Sequence, residues 1–356
     1  MSLCIDANKI EQLLVHIFME SGLKDLEMAS TVAENLVLAE MRNIRSHGLV
    51  QTSNYSKWML SGRMNTKPQM KIVKETPVTL AIDADFAPGA VAGKYAMNLT
   101  IAKAKENGIA MTTVKNGTHY GISAYYAMQA TKEDMIGIAF TNSVKLMAPF
   151  GGYERELGTN PICIAAPAKK HNAVIYDGAT SKAAYNKIFF AYTDGREIPS
   201  DWALDPGGRD TTNPKDIIID KGAVLPSGEY KGYGLAVMVN ILTGLLSGGS
   251  ITSNEHGDIE EDSNATAYSF MVIDISKFTE IEAFKQTTDL FIERLKNSKK
   301  RENVEEIFVP GEIEDICYEK SKNEGIILGD GVAKEITKTL EKLQIKMTLQ
   351  DCCKRN

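Results

Sequence analysis

The feature that most constrains this chain is a change of hydrophobic period near residue 75. Before it, apolar residues recur at helical spacing. Ile10, Leu13, Leu14, Ile17 and Phe18 line one face of a first helix, which Asp6 is suited to cap and Gly22 to stop. Ala29, Val32, Ala33, Leu36 and Ala39 give the inner face of a second, over residues 26–41. A third is expected from a Ser46 cap to about Gly62. After residue 75 the runs shorten and the period becomes two. Val78, Leu80 and Ile82 alternate with Thr79, Ala81 and Asp83, as a strand requires. Strands are expected at 109–114, 136–140, 162–166, 174–176 and 270–273, interleaved with helices through Tyr95, Leu99 and Ala102 and over 121–130. Two amphipathic helices, 279–295 and 332–343, precede a polar tail. The pattern predicts a mixed α/β protein: a helical lobe followed by a mixed sheet with packed helices. Residues 193–226, rich in Gly, Pro, Asp and Thr, read as a long irregular excursion of the kind that carries function.

Composition excludes several classes. The net charge of −6 leaves no basic footprint for nucleic acid. No run reaches the ~18 apolar residues of a membrane span. The longest, 235–246, is broken by Asn240, Thr243 and Gly244. Residues 1–6 carry no secretory pattern. Cys4, Cys163, Cys317, Cys352 and Cys353 form no C-x-x-C pair, so reduced thiols in a cytoplasmic protein are expected.

A dinucleotide fingerprint, G-x-G-x-x-G, is absent. Gly89 and Gly93 have the wrong spacing, and Gly329 and Gly331 lack a third glycine. A Rossmann site is therefore not expected, and a dinucleotide would need another cradle. Two segments offer one. Asp177-Gly178-Ala179-Thr180-Ser181 closes a strand and is expected to open a helix. Lys231-Gly232-Tyr233-Gly234 opens the most apolar helix. Small residues and a lysine at helix starts suit an anion, although turns and close-packed glycines would look the same. Gly158-Thr159-Asn160-Pro161 reads as a turn into a strand. Of five histidines, His16, His171 and His256 lie in an amphipathic helix or polar loops and need no function. His47, in Arg45-Ser46-His47-Gly48, and His119, in Asn116 to Gly121, are framed by glycines at changes of chain direction. Each is equally suited to acid–base chemistry and to stabilising a turn. Ser46 beside His47 lacks a G-x-S-x-G elbow, and no histidine pair has metal-ligand spacing, so no metal is expected.

Taken in order, Ser46-His47-Gly48, Asn116 to Gly121, Thr141-Asn142-Ser143, Pro149 to Gly152, Leu157 to Pro161, Asp177 to Ser181, Lys231 to Leu235 and Pro310-Gly311-Glu312 resemble the type-2 malate/L-lactate dehydrogenase family. The resemblance covers nearly the whole chain. It implies a non-Rossmann fold and hydride transfer between NAD or NADP and a small 2-hydroxy or 2-oxo acid. Relatives acting on sulfolactate, ureidoglycolate, diketogulonate and cyclic imino acids are implied alternatives, as is a cofactor-binding protein with little turnover. A homodimer is implied as well.

The resemblance implies acid–base roles for His119 and His47 and a substrate contact for Tyr55; Ser46, Gln51 and Asn160 are expected in the same pocket, with Arg45 or Arg42 taking the place of the arginine that Gln51 replaces. It assigns Ser143, Asp177, Gly178, Ala179, Lys231, Gly232, Gly311 and Glu312 to the dinucleotide. The implied division is a helical lobe, 1–75 completed by 313–356, on an α/β domain, 76–312. Three residues depart from the family pattern: Gln51 replaces a carboxylate-binding arginine, Gly178 a methionine, and Asn43 a glycine. Histidine suits the chemistry because its pKa lies near neutrality.

Overall fold

The helices of the first sixty residues form largely where helical spacing puts them. In the computed structural model, which describes residues 3–252 and 265–354, α1 (Ala7–Glu20) and α2 (Leu26–Met41) follow a short strand, β1 (Leu3–Ile5). His256 and its acidic neighbours lie outside the described residues. Asp6 and Asp25 cap the two helices, accepting from the Lys9 and Met28 N–H groups at 3.0 Å each. The third helix departs from expectation. α3 (Thr52–Leu60) has no side-chain cap, and Arg45–His47 and Leu49–Gln51 form two tight 3-10 turns instead. The cause is Glu40 in the last turn of α2. Its carboxylate accepts the Leu49 N–H at 2.9 Å and folds the chain back before α3 begins.

The chain continues through β2 (Lys71–Glu75), β3 (Thr79–Asp83), α4 (Gly89–Asn107), β4 (Ile109–Gly117), α5 (Ala124–Thr131), β5 (Met135–Thr141), β6 (Ile162–Ala166) and β7 (Val174–Gly178). Then come α6 (Tyr185–Thr193), β8 (Ala203–Leu204), α7 (Lys215–Ile218), β9 (Ala223–Val224) and α8 (Tyr230–Asn240). The last elements are β10 (Thr266–Asp274), α9 (Ile281–Lys296), α10 (Glu312–Glu324), β11 (Ile326–Leu328) and α11 (Asp330–Lys342). One mixed sheet runs in the order β2-β3-β4-β10-β5-β6-β7. β3 pairs with β4 in parallel, joined by the α4 crossover, and the other pairs of the sheet among the described residues are antiparallel.

Three apolar clusters hold these elements. In the first, Ala92, Ala96 and Met97 of α4 pack with Val114, Tyr126, Tyr268 and Phe270. In the second, α1 to α3 meet the far end of the chain at Ile326, Leu328, Ile336, Leu340, Leu349 and Cys352. β1 pairs with β11, and Asp6 N–H donates to the Cys352 carbonyl at 2.9 Å. The C-terminal tail is therefore not simply a polar extension. Leu349 and Cys352 are isolated apolar residues without a period, so only packing reveals their burial.

The third cluster corrects the reading of residues 193–226. Ile198, Ala203, Ile217 and Val224 pack with Leu146, Met147, Ile188 and Ala236, and β8 pairs with β9. Residues 121–123 stay outside α5 because Gly121, at φ 77°, lies against Asn35, where a Cβ would fall 1.8 Å from Oδ1. β2 and α10 carry no sequence signal: β2 is exposed throughout and α10 has no fully buried residue. Among the described residues no helix is long and apolar enough to cross a membrane.

Candidate active site

Strand register brings distant segments to one end of the sheet. Gly117 at the end of β4 faces Thr266 at the start of β10, and Tyr268 faces Thr141 at the end of β5. Phe140 faces Ile162 at the start of β6, and Ile162 faces Gly178 at the end of β7. His119, Ser143, Asn160 and the run Asp177 to Ala179 therefore leave or enter the sheet at the same end.

His47 reaches His119 through α2, whose Asn35 Nδ2 donates to the Tyr120 carbonyl at 3.3 Å. The two imidazoles stack with centroids 5.3 Å apart and planes 19° from parallel. The Tyr55 hydroxyl lies 2.5 Å from His119 Nδ1, and the Ser46 hydroxyl 2.7 Å from His47 Nδ1. Each ring thus has a hydroxyl on Nδ1, and neither Nε2 has a hydrogen-bond partner among the described residues. Burial lowers the His47 pKa to about 4. Burial, and then the neighbouring His47, lower that of His119 to about 3. Both rings are neutral at pH 7. The same burial pushes the Tyr55 phenol upward, so it keeps its proton.

Around this pair the hydrogen bonds run inward. Gln51 Nε2 donates to the Ser46 carbonyl at 2.9 Å, and Asn54 Nδ2 donates to Gln51 Oε1 at 3.1 Å. Asn186 of α6 donates to the same Ser46 carbonyl at 3.1 Å. Asn186 belongs to no motif, and only the docking of α6 reveals its contact. Arg45 is half-exposed, with Nε 3.8 Å from Glu40 Oε1. Ser46 caps no helix; its hydroxyl serves the imidazole.

Asn160 spends its amide within the fold. It is fully buried at φ 30°, and Nδ2 donates to the Ala236 carbonyl and to Asn240 Oδ1, both at 2.9 Å. Its Oδ1 accepts the Ser143 N–H at 3.2 Å. It braces β6 against α8. Ser143 Oγ accepts the Thr159 N–H at 2.9 Å, which ties the two turns together.

Asp177 and Gly311 meet at a cavity of about 350 Å³, lined also by Arg42, Ile175, Phe308 and Glu314. Burial raises the Asp177 carboxyl to about 6, although it accepts the Ala124 N–H at 2.8 Å and Arg42 is near. Arg42 is buried and bonded to Asp315 at 2.5 Å, yet its Nε has no partner among the described residues. Gly311 sits at φ 91°, where a Cβ would stand 2.9 Å from the Ile175 Cβ, so a larger residue is excluded. Glu312 turns away from the cavity. Its carboxylate accepts the Val309 N–H at 3.0 Å and pairs with Lys296.

The helix-end reading of the two glycine segments needs correction. No helix opens at Thr180 or Ser181; α6 starts at Tyr185. α8 does open at Tyr230, but Lys231 and Gly232 donate their N–H groups to the Gly228 and Ser227 carbonyls, at 3.2 and 2.8 Å. An anion there would meet the exposed Lys231 side chain, not a ring of free N–H groups. Gly232 is required by packing, because a Cβ would come within 2.3 Å of the Ser227 carbonyl oxygen and 2.5 Å of that of Thr180.

Two departures from the family pattern have local causes. Asn43 holds φ 60°, a left-handed conformation that asparagine tolerates better than most residues. A Cβ at Gly178 would lie 2.8 Å from the hydroxyl of the exposed Tyr176, which would have to swing aside for a longer side chain. Ala179 follows directly. Among the described residues no group of three or more His, Cys, Asp or Glu could hold a metal ion.

A helical layer on a mixed non-Rossmann sheet, with paired neutral imidazoles at one end of the strands, is the architecture of a dehydrogenase built without the usual dinucleotide fold. The chain belongs to the malate/L-lactate dehydrogenase family, whose sequence model matches residues 5–337. It is 37% identical over 349 residues to a malate dehydrogenase of Pyrococcus horikoshii, covering 96% of each chain. It is 37% identical to an L-sulfolactate dehydrogenase of Methanocaldococcus jannaschii, covering 88% of this chain and 90% of the relative. It is 33% identical to the ureidoglycolate dehydrogenase (NAD(+)) of Escherichia coli K12, covering 92% and 93%. The solved structure of malate dehydrogenase from P. horikoshii OT3 superposes with a TM-score of 0.88 at 34% identity, covering 97% of each chain.

Proposed function

We propose that this protein moves a hydride between a nicotinamide cofactor, NAD or NADP, and C2 of a small 2-hydroxy or 2-oxo acid of malate or lactate type. The observation that carries this reading is the stacked imidazole pair with each Nδ1 engaged by a hydroxyl. If Tyr55 and Ser46 donate to Nδ1, each neutral ring keeps its hydrogen on Nε2. That hydrogen can bond the carbonyl oxygen, polarise it and become the proton of the product alcohol. A bound anionic substrate raises the pKa of a neighbouring imidazole toward neutrality, so the ring can take its proton back from solvent.

The residues around Asp177 suit a nucleotide. Ile175 and Phe308 give apolar wall for a base, Asp177 an acceptor for sugar hydroxyls, and the unpartnered Arg42 Nε a donor for an acceptor oxygen. Ser143, Gly178, Ala179, Gly311 and Glu312 would shape the approach by backbone and packing, and Lys231 would supply charge. The nicotinamide, when bound, supplies or accepts the hydride. Among the acid contacts, Arg45 would hold the carboxylate. A second reading, with an uncharged ureido or amide end on the substrate, is favoured by the neutral side chain of Gln51.

The same reading divides the chain into a helical lobe, 1–75 with 313–356, and an α/β domain, 76–312. The second apolar cluster, which joins both chain ends, supports that division. The exposed face of α8 and its extension, Leu235, Met238, Ile241 and Leu245, supports a homodimer, because so long an apolar stripe favours cover. Free thiols at all five cysteines support a cytoplasmic setting. The test is loss of reduced-nicotinamide fluorescence with a panel of 2-oxo acids, using NADH and NADPH in parallel. Turnover with oxaloacetate or pyruvate is expected. No oxidation with any 2-oxo acid and either cofactor would refute the proposal.

A further inference from the structure

The carbonyl of Ser46 accepts two side-chain amides. Gln51 donates through Nε2 at 2.9 Å and Asn186 through Nδ2 at 3.1 Å. The donors come from different parts of the fold. Gln51 ends the second 3-10 turn before α3 and is itself oriented by Asn54. Asn186 lies in the first turn of α6, whose Ile188 and Ala191 are buried in the third apolar cluster with Ile198 and Ile217. A carbonyl oxygen has two lone pairs, so two amides saturate it. The peptide joining Ser46 to His47 is thereby pinned from two sides. The Ser46 hydroxyl then fixes the ring of the next residue at 2.7 Å. Nothing else in the chemistry derived above employs Asn186.

We propose that Asn186 is a positioning residue for His47: with Gln51 it locks the Ser46–His47 peptide and so couples the docking of α6 to the alignment of the imidazole pair. This rests on His47 belonging to the reacting site. Asn186 touches neither ring, so it acts through Ser46. Because both donors serve one oxygen, they back each other up. With either removed, the carbonyl keeps one side-chain partner; with both removed, it keeps none among the described residues and nothing fixed holds the peptide. The two losses must then be more than multiplicative. An aspartate at 186 goes further than alanine, because it sets a carboxylate oxygen against the carbonyl oxygen and supplies no donor.

The experiment measures single-turnover reduction of the best 2-oxo acid, cofactor affinity by fluorescence titration, and Tm. The parent is compared with Asn186→Ala, Asn186→Asp, Gln51→Ala and the double alanine variant. Each alanine variant should lose roughly 3–5-fold in the turnover rate, Asn186→Asp more, and the double variant roughly 10²-fold or more, above the product of the singles. Cofactor affinity and Tm should stay at parent values in Asn186→Ala. Parent-level turnover in Asn186→Asp, strictly multiplicative losses, or a rate loss that merely tracks Tm would each overturn the proposal. Should the parent reduce no 2-oxo acid, the proposed function fails on its own, and histidine-selective ¹⁵N NMR still decides this inference. His47 should be a single tautomer in the parent and a mixture in Asn186→Asp. An unchanged His47 signal would overturn it.

Discussion

His119 and His47 lie ring to ring, yet they are held in opposite ways. His119 hangs from β4, an interior strand whose register is set by β3 on one side and β10 on the other. The residue before it is locked as well: the Thr118 hydroxyl donates to the Ala87 carbonyl at 2.9 Å, and Tyr268 bonds the Thr118 carbonyl. His47 has no strand beneath it. It sits in a 3-10 turn held by side chains: Glu40 on the Leu49 N–H, and Gln51 and Asn186 on the Ser46 carbonyl. One imidazole is fixed by the sheet and the other by a replaceable set of hydrogen bonds. Two of the departures from the family pattern, Asn43 and Gln51, fall in and around this turn, and none falls beside His119. Chemistry anchored to a strand end tolerates little change, whereas a turn can be rebuilt to suit a different acid.

The largest effect should come from the rings themselves. His119→Ala and His47→Ala are each expected to lower turnover by ~10²–10⁴ while leaving cofactor binding nearly intact. Near-parent turnover in both variants would end the acid–base assignment. If only His119→Ala is severe, His47 orients the substrate and His119 handles the proton.

Next is the support of the turn. Glu40→Ala removes the buried acceptor of the Leu49 N–H and the wall against Gly48, where a Cβ would fall 2.4 Å from Glu40 Oε2. A loss of ~1–3 kcal/mol in denaturant unfolding is expected, together with a fall in turnover. Glu40→Gln keeps an acceptor and should lose much less. Equal behaviour of the two variants would mean that charge facing Arg45, not the hydrogen bond, holds the turn.

How much of this was legible in the sequence follows the same divide. The strand-end residues were readable because periodicity gave β4, β5, β6 and β7, and Asn116 to Gly121 stands out as a glycine-framed histidine after a buried strand. The turn is hidden. Ser46 resembles a helix cap, and nothing local reveals that Glu40, six positions earlier, redirects the chain. Asn186 could not be found, because its role depends on α6 docking across the molecule. The bracing role of Asn160 is hidden for the opposite reason. Its motif is conspicuous, but its amide is consumed by Ala236 and Asn240, which lie far along the chain. Periodicity reports burial; it does not report where a buried amide spends its hydrogens.

The substrate side should respond more modestly. Arg45→Ala is expected to raise the KM for oxaloacetate by roughly tenfold, in line with ~1.5–3 kcal/mol for a hydrogen bond to a charged group, discounted for its half-exposed position. Gln51→Arg should change that KM less, because Arg45 already supplies charge to the turn. The opposite ranking of the two variants would move the carboxylate to position 51.

The smallest effect is on stability with pH. Burial lowers His47 to about 4 and His119 to about 3, against 6.5 for an unperturbed histidine. Below pH 6.5 the unfolded chain takes up protons at these positions before the folded one does. Their contribution is therefore fully present above about pH 6.5 and falls as pH drops through the folded values. Tm should decline over this range, and less steeply in His119→Gln. An identical slope in parent and variant would show that the ring is not buried in its neutral form.

The most direct test follows the hydride itself. The protein is given a 2-oxo acid and nicotinamide reduced with deuterium at C4, on the transferable face, and the product is analysed by mass spectrometry. The account predicts a 2-hydroxy acid carrying one deuterium at C2, formed in the parent and suppressed by roughly 10²-fold or more in His119→Ala. Consumption of the 2-oxo acid without deuterium at C2, or equal labelling in both proteins, would contradict it.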